Sequence, residues 1–403
     1  MKSIIDLKKT CNIFIPRNIF SLFLVLSKKK LNKGDNFILV NRHKAYGYPI
    51  PKDIIIFLKK KKFKIIYINK SYKFDKKKNL TNNFINKIFR INFFRNLIKI
   101  SDEILKNKYY EEFKNINFDK YESVNIYYGS NILYYSNLCK KFKNVRLFFL
   151  EHGGGNFLGM IQEHYSCKKN LKKFINNIIT YIIFKIKDVY IPNSSFYYGI
   201  CGYIFDIKEL KYDNQKITFL KSNFKKGFHQ LFSFFQKDLE EIKKIKNNNY
   251  IFLNIPYHYE LKMYKKYLNY VCEKVKSKKN VILLIKMHFG INEKKYLGLL
   301  LNTLRLKKIN YYLISKKATI IPLEIIIKYF NVNEIYSGYS TILFSSYYLF
   351  NSKKKFNILF SDSINKKYIN HLELNQFSKE LIKKNIKKNI NYIDLDYINQ
   401  KLC

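Results

Sequence analysis

Four short stretches bring chemically able side chains together with glycine, proline or serine. Glu151-His152-Gly153-Gly154-Gly155-Asn156 follows the apolar run VRLFFL. The chain holds only 13 glycines, and four of them fall between Gly153 and Gly159. Backbone without Cβ lets a ligand approach closely. A carboxylate leaving a strand there can take a proton from a hydroxyl. The plain alternative is a tight turn with an exposed glutamate. Lys286-Met287-His288-Phe289-Gly290 follows VILLI. A lysine and a histidine two residues apart can both face an anion and stabilise a departing phosphate. A solvated lysine beside a surface histidine is the alternative. Pro322-Leu323-Glu324 opens a helical stretch after Ala318–Ile321. Its glutamate either complements the helix dipole or accepts hydrogen bonds from a ribose. Gly338-Tyr339-Ser340-Thr341 joins the run EIYS to another helical stretch. Its hydroxyls serve as helix caps or, with the free N–H groups, as a phosphate cradle.

Each stretch follows a short apolar or β-branched run, so the elements must be arranged to present strand ends. Asn12–Ile15, Phe37–Val40, Lys64–Ile68, Ser123–Tyr128, Val145–Leu150 and Val189–Ile191 read as strands separated by lysine-rich amphipathic stretches. After the polar run Asp238–Asn249 the pattern repeats. Tyr250–Asn254, Val281–Ile285, Tyr311–Ile314, Ala318–Ile321, Glu334–Ser337 and Asn357–Phe360 are expected as strands. Helices are expected over Glu260–Lys276, Asn292–Leu306, Pro322–Phe330 and Ser340–Phe350, with Pro322 at the first helical position. A last amphipathic helix is expected at His371–Lys388. The alternation predicts an α/β protein with two Rossmann-like, doubly wound domains facing a cleft. The expected division is 1–245, 246–370, and a helix and tail over 371–403. Ligands in such sheets lie beyond the carboxyl ends of the strands.

Composition narrows the partners. The 403 residues carry 76 Lys and Arg against 29 Asp and Glu, a formal charge of +47. Apolar residues at 47% suffice for sizeable cores and exclude a disordered chain. Only six of the basic residues are arginine, and there is no tryptophan. Lysine abounds with Ile, Asn, Tyr and Phe, the residues of AT-rich codons, so part of the charge reads as genomic bias. What remains favours anionic surfaces and substrates. The scarcity of arginine speaks against sequence-reading of nucleic acid, and no nucleic-acid partner is expected. The six cysteines form no CxxC pair, and His164 with Cys167 lacks a second pair to complete a zinc site. They read as reduced cytosolic thiols. Asn18–Ser27 is apolar but lacks a small-residue cleavage site, and reads as a helix packed on a strand. Phe174–Ile186 is too short and too polar to span a bilayer. Asp394-Leu395-Asp396, the only DxD, reads as a chance match in a polar tail.

Taken in order, the four stretches resemble motifs of bacterial GT-B sialyltransferases, of the lipooligosaccharide sialyltransferase and α-2,8-polysialyltransferase type. Those families carry an acidic-acidic-Gly motif, then Lys-x-His-Pro, a Pro-x-Glu helix start and a Ser-Ser/Thr pair. The corresponding residues here are Glu151-His152-Gly153, Lys286-Met287-His288-Phe289, Pro322-Leu323-Glu324 and Ser340-Thr341. CNIFIPRNIFSLFLVLS and YIFLNIPYHYE also look like family segments, so the resemblance covers most of the chain. His152 stands where the family has a second acid, and Phe289 where it has proline.

The resemblance implies inverting transfer of sialic acid, or a related nonulosonic acid, from a CMP-activated donor without a metal or other cofactor. It implies that Glu324 holds the ribose while Ser340, Thr341 and His288 hold the phosphate. Lys286 and Asn254 join the donor-binding set. Glu151 would deprotonate the acceptor hydroxyl across the cleft, with His152, Gly153 and Gly154 forming the acceptor loop. Glu260 is the reserve base. The implied setting is capsule or lipooligosaccharide synthesis on the inner face of the cytoplasmic membrane, with a glycan or glycolipid acceptor. Two other readings stand beside it. One is a related transferase using a CDP-polyol, with His152 as base. The other is a non-catalytic basic protein binding nucleic acid or a membrane surface.

Overall fold

A computed structural model gives the structure of residues 9–28, 34–41, 50–68, 113, 116–129, 139–140, 142, 144–151, 171–190, 194–204, 206–212, 215–240, 249–255, 261–287, 293–314, 321–338, 341–350, 354–360 and 390–394. By contact the chain divides into two compact units. The first is Met1–His152, Glu163–Gly199 and Lys208–Gly227, and the second is Gly153–Gln162, Ile200–Ile207 and Phe228–Cys403.

The first unit is built on an eight-stranded sheet. Its strands are β1 (Lys9–Ile15), β2 (Asp35–Asn41), β3 (Lys64–Ile68), β4 (Tyr121–Tyr128), β5 (Val145–Leu150), β6 (Ser194–Gly199), β7 (Glu209–Tyr212) and β8 (Gln215–Lys221). They run in the order β3-β2-β1-β4-β5-β6-β8-β7. All neighbours are parallel except β7 against β8. The order 3-2-1-4-5-6 is that of a doubly wound sheet, with its switch point between β1 and β4.

Aromatic residues dominate this sheet. Phe14, Tyr127, Phe148 and Phe196 are in register on one face and stack with centroids 4.6, 4.4 and 5.1 Å apart. Tyr128, Phe149, Tyr197 and Phe219 form the equivalent row on the other face. Such cross-strand pairs are the unit of sheet stability. An amide row lies two residues below the first. Asn12 donates to Asn36 at 3.0 Å, and Asn125 donates to Asn12 at 2.9 Å.

Helix α1 (Ile19–Ser27) is buried at every position. Its all-round apolar sequence, IFSLFLVLS, permits this. Asn18 caps it by accepting from the Ser21 N–H at 3.0 Å. At its other end Lys28 lies over the first aromatic row, its Nζ 3.7 Å from the Tyr127 centroid. Burial pushes the Lys28 ammonium down to about 7.

Among the described residues three further helices begin in this unit: α2 (Lys52–Lys60), α3 (Leu171–Ile186) and α5 (Phe224–Glu240). The short α4 (Cys201–Ile204) follows β6 and belongs to the second unit. Gly227 of α5 meets the α1 backbone directly, since a Cβ there would stand 1.8 Å from the Phe23 carbonyl oxygen.

Val189–Ile191, expected as a strand, does not begin one at its described residues, Val189 and Tyr190. Val189 instead closes α3: its N–H donates to the Phe184 carbonyl at 2.8 Å across the left-handed residue Asp188. Its apolar side chain is buried as the closing residue of that cap. The true strand starts at Ser194. The same closure, with Lys, Asp or Asn rather than Gly at positive φ, ends α2 at Lys62 and recurs in the second unit.

The second unit holds a six-stranded, wholly parallel sheet: β9 (Asn249–Ile255), β10 (Val281–Met287), β11 (Tyr311–Leu313), β12 (Glu334–Ser337), β13 (Lys355–Phe360) and β14 (Ile390–Asp394). Its order is β11-β10-β9-β12-β13-β14, again 3-2-1-4-5-6. Helices α6 (Leu261–Lys276), α7 (Glu293–Leu306), α8 (Leu323–Tyr329) and α9 (Thr341–Phe350) accompany it. Tyr264, Tyr267, Leu268, Val271 and Cys272 of α6 pack with Leu300 and Leu304 of α7 on Ile251, Leu253, Leu283 and Ile285. Phe252, Leu284 and Ile335, of opposite parity, are buried too, so the sheet is covered on both faces.

Two expectations change here. Pro322 is the cap residue before α8, with ψ 140°, and not its first helical residue. Asp394 is not in a tail: it ends β14, paired with Phe360 at the sheet edge. The parallel register with β13 and the Asn391 amide donating to Asn357 at 2.9 Å make this segment a strand despite its polarity. The helix expected over 371–388 and residues 318–320 lie outside the described residues.

Candidate functional site

The switch point of the second sheet lies between β9 and β12, and side chains converge at its carboxyl end. Lys286, Asn254 and Ser337 stand in register on three adjacent strands, hence on one face. The Asn254 amide donates to Ser337 Oγ at 3.0 Å. The Asn254 carbonyl accepts from the Tyr267 hydroxyl of α6 at 3.0 Å, which pins the end of β9. Lys286 is half-buried and donates from Nζ to the Ile321 carbonyl at 2.8 Å, just before α8.

Glu324 enters from the first turn of α8 and is 6% exposed. Ser345 of α9 donates to its Oε1 at 2.5 Å. Burial raises the Glu324 carboxyl above its ordinary range, and the Ser345 hydrogen bond and Lys286 oppose that rise. Burial lowers the Lys286 ammonium to about 8, with the Glu324 charge holding it up. A carboxylate and an ammonium drawn this far from water persist only when each is bonded, as here.

Lys286, Ser337 and Asn254 offer an anion a cation, a hydroxyl and an amide at the carboxyl end of this sheet, and the next helix along the chain after β12 is α9, whose N-terminal N–H groups can bind an anion. Thr341 is the first residue of that helix. His288, Ser340 and Glu260 lie outside the described residues, as do His152, Gly153 and Gly154.

Glu151 belongs to the first unit. It follows β5, is 0% exposed, and its N–H donates to the Tyr198 carbonyl at 3.2 Å. Its carboxylate occupies the room left by the missing side chain of Gly199. A Cβ there would stand 2.1 Å from Glu151 Oε2. Ser222 holds the Gly199 carbonyl from the next strand end at 2.8 Å, and Ser21 of α1 reaches the Glu151 carbonyl at 3.4 Å. Glu151 is thus a held carboxylate at a strand end.

Lys286, Asn254 and Glu324 therefore come together in one place. Ser337, Ser345 and Gly199 were not singled out by their sequence context. Ser337 carried a usable signal, as the last residue of EIYS before Gly338. Ser345 carried none, since it lies inside the apolar helix TILFSSYYLF. Among the described residues no group of three or more His, Cys, Asp or Glu is placed to hold a metal ion. Among them, too, no helix is long and apolar enough to cross a membrane.

No family model matches the chain, and no curated protein matches it. Solved structures do. UGT71G1 of Medicago truncatula, complexed with UDP-glucose, is 12% identical with a TM-score of 0.48, over 90% of this chain and 83% of that one. The 2,6-sialyltransferase of Photobacterium sp. JT-ISH-224, in a ternary complex with CMP and lactose, is 12% identical with a TM-score of 0.47, over 95% and 78%. The GT-B domain of a Photobacterium damselae sialyltransferase is 11% identical with a TM-score of 0.44, over 95% and 99%. The assignment of two Rossmann-like sheets rests on the strand orders themselves.

Proposed function

We propose that the chain is a nucleotide-sugar glycosyltransferase whose donor binds at the β9/β12 switch point. Within that class, we read it as an inverting, metal-independent transferase of sialic acid or a related nonulosonic acid from a CMP donor. The observation that carries the reading is the Lys286-Asn254-Ser337 row with the Ser345-held Glu324 beside the start of α9. Acceptors for ribose hydroxyls and donors for a phosphate meet where doubly wound sheets bind nucleotides.

In this reading Glu324 accepts from the ribose, and His288, Ser340 and Thr341 bind the phosphate. The bond from the anomeric carbon to the phosphate oxygen breaks, and its electron pair leaves with CMP. Cationic and N–H donors aimed at that oxygen lower the barrier. The acceptor hydroxyl, on a glycan or glycolipid at the inner membrane surface, gives its proton to Glu151 and bonds to the anomeric carbon from the opposite face. General-base assistance of this kind is worth about 10²–10⁴-fold.

Calorimetry with CMP, CDP and UDP tests the reading. CMP should bind best, and Glu324→Ala should weaken it by about 10–100-fold, the worth of one or two charge-assisted hydrogen bonds. Affinity should fall as pH rises past about 8, where Lys286 loses its proton. A preference for UDP or CDP, or no binding, overturns the CMP reading. Glu151→Gln should abolish transfer while CMP still binds. Retained transfer would move the base to Glu260 or His152.

A further inference from the structure

Among the described residues, helix α3 presents an exposed apolar face. Among the described residues six large hydrophobic side chains are exposed, and four of them lie on this helix: Ile178, Tyr181, Ile182 and Ile186. Ile182 is 49% and Ile186 76% exposed. Their spacing of three, four and eight residues sets them on one arc with exposed Lys185. Ile183 and Phe184, on the remaining arc, are buried. The helix is 16 residues long, so it can lie on a bilayer but not cross one.

Charge decides between occupants. Between Glu163 and Asp188 the sequence holds Lys168, Lys169, Lys172, Lys173, Lys185 and Lys187 and no carboxylate. Asp188 itself is paired with Lys140. A second copy of a chain at +47 would repel this face. An anionic surface would be drawn to it, and an exposed apolar face on a helix flanked in sequence by lysines is the signature of a helix lying in a lipid interface.

We propose that the outward face of α3, centred on Tyr181, Ile182 and Ile186, is an insertion surface for anionic phospholipid bilayers. It stands whether or not the transferase reading does, because no donor-site residue takes part.

The chain has no tryptophan, so Tyr181→Trp supplies a single reporter on this face. The full chain would be mixed with vesicles of phosphatidylcholine alone, or with phosphatidylglycerol at about 3:1. With the anionic vesicles the emission should shift to the blue and be quenched by bromine-labelled acyl chains. Binding should persist in about 0.5 M salt, which screens adsorption by charge alone. Ile182→Asp with Ile186→Asp should cut the salt-resistant bound fraction by at least about tenfold. Both sites are exposed, so the circular dichroism melt of that variant should be unchanged. Sedimentation with anionic vesicles but no shift or quenching would overturn the proposal in favour of surface charge. An equal shift with neutral vesicles would overturn the anionic specificity. A lipid-free dimer that the aspartate variant dissociates would assign the face to a second copy instead.

Discussion

Lys28 of the first unit and Lys286 of the second sheet are both drawn out of water, and the two are treated differently. Lys28 lies over the Phe14, Tyr127 and Phe148 rings, with centroids at 5.8, 3.7 and 5.3 Å. Lys286 has a carbonyl partner and a carboxylate nearby. Burial lowers both, but Lys286 stays near 8 and Lys28 falls to about 7. Ring faces compensate a desolvated ammonium only partly, whereas a carboxylate keeps it charged. The lesson extends to the sheets. With the same strand order, the first spends its interior on aromatic rows and a wholly buried helix. The second places hydroxyl, amide, carboxylate and ammonium groups at its switch point.

The largest effect should come from Gly227→Ala. The new methyl would collide with the Phe23 carbonyl and force α1 from α5, costing about 3 kcal/mol or more. A thermal melt checks it. A loss below about 1 kcal/mol would show that the α1 contact is pliable.

Gly199→Ala should act on chemistry instead. Displacing the Glu151 carboxylate should lower turnover by about 10²-fold, the cost of misplacing a reacting group, with CMP affinity unchanged. If affinity falls as well, the two sheets do not divide the labour as proposed.

Lys28→Met should stabilise the fold at pH 6 by about 1–2 kcal/mol, since it removes a desolvated charge. A lysine whose folded pKa is lowered carries its cost below that pKa and sheds it as pH rises toward the unfolded value. The gain should therefore shrink between pH 7 and 10.5. A gain that is flat with pH would mean that packing, not charge, is at work.

The smallest effect belongs to Gly298 of α7, where a Cβ would meet nothing within 4 Å. Gly298→Ala should stabilise by about 0.5–1 kcal/mol through helix propensity, opposite in sign to Gly227→Ala. Paired melts of the two variants test this directly.

Much of the second unit was legible along the chain. VILLIKM and IFLN are apolar runs between amphipathic helices, and periodicity suffices for such segments. Val145–Leu150 and Lys64–Ile68 are strands at the bounds their apolar periodicity predicts, for the same reason. The region after α3 was not. SSFYYG follows a proline and an asparagine, carries two serines and a glycine, and becomes a strand because its aromatics join rows on both sheet faces. β14 was hidden likewise, since its Asn391 is satisfied by Asn357 on the neighbouring strand, 34 positions away.

By itself the sequence determined the α/β class, the strand-end position of Glu151, Lys286 and Gly338, and the excess of positive charge. These follow from local periodicity and composition, which act over a few residues. Tertiary structure alone decided that Ser345 holds Glu324, 21 positions away, and that Gly199 makes room for Glu151, 48 positions away. It also set Asn254 against Ser337 across 83 residues. Those contacts depend on strand order and register, which the packing of whole sheets fixes and no short stretch encodes.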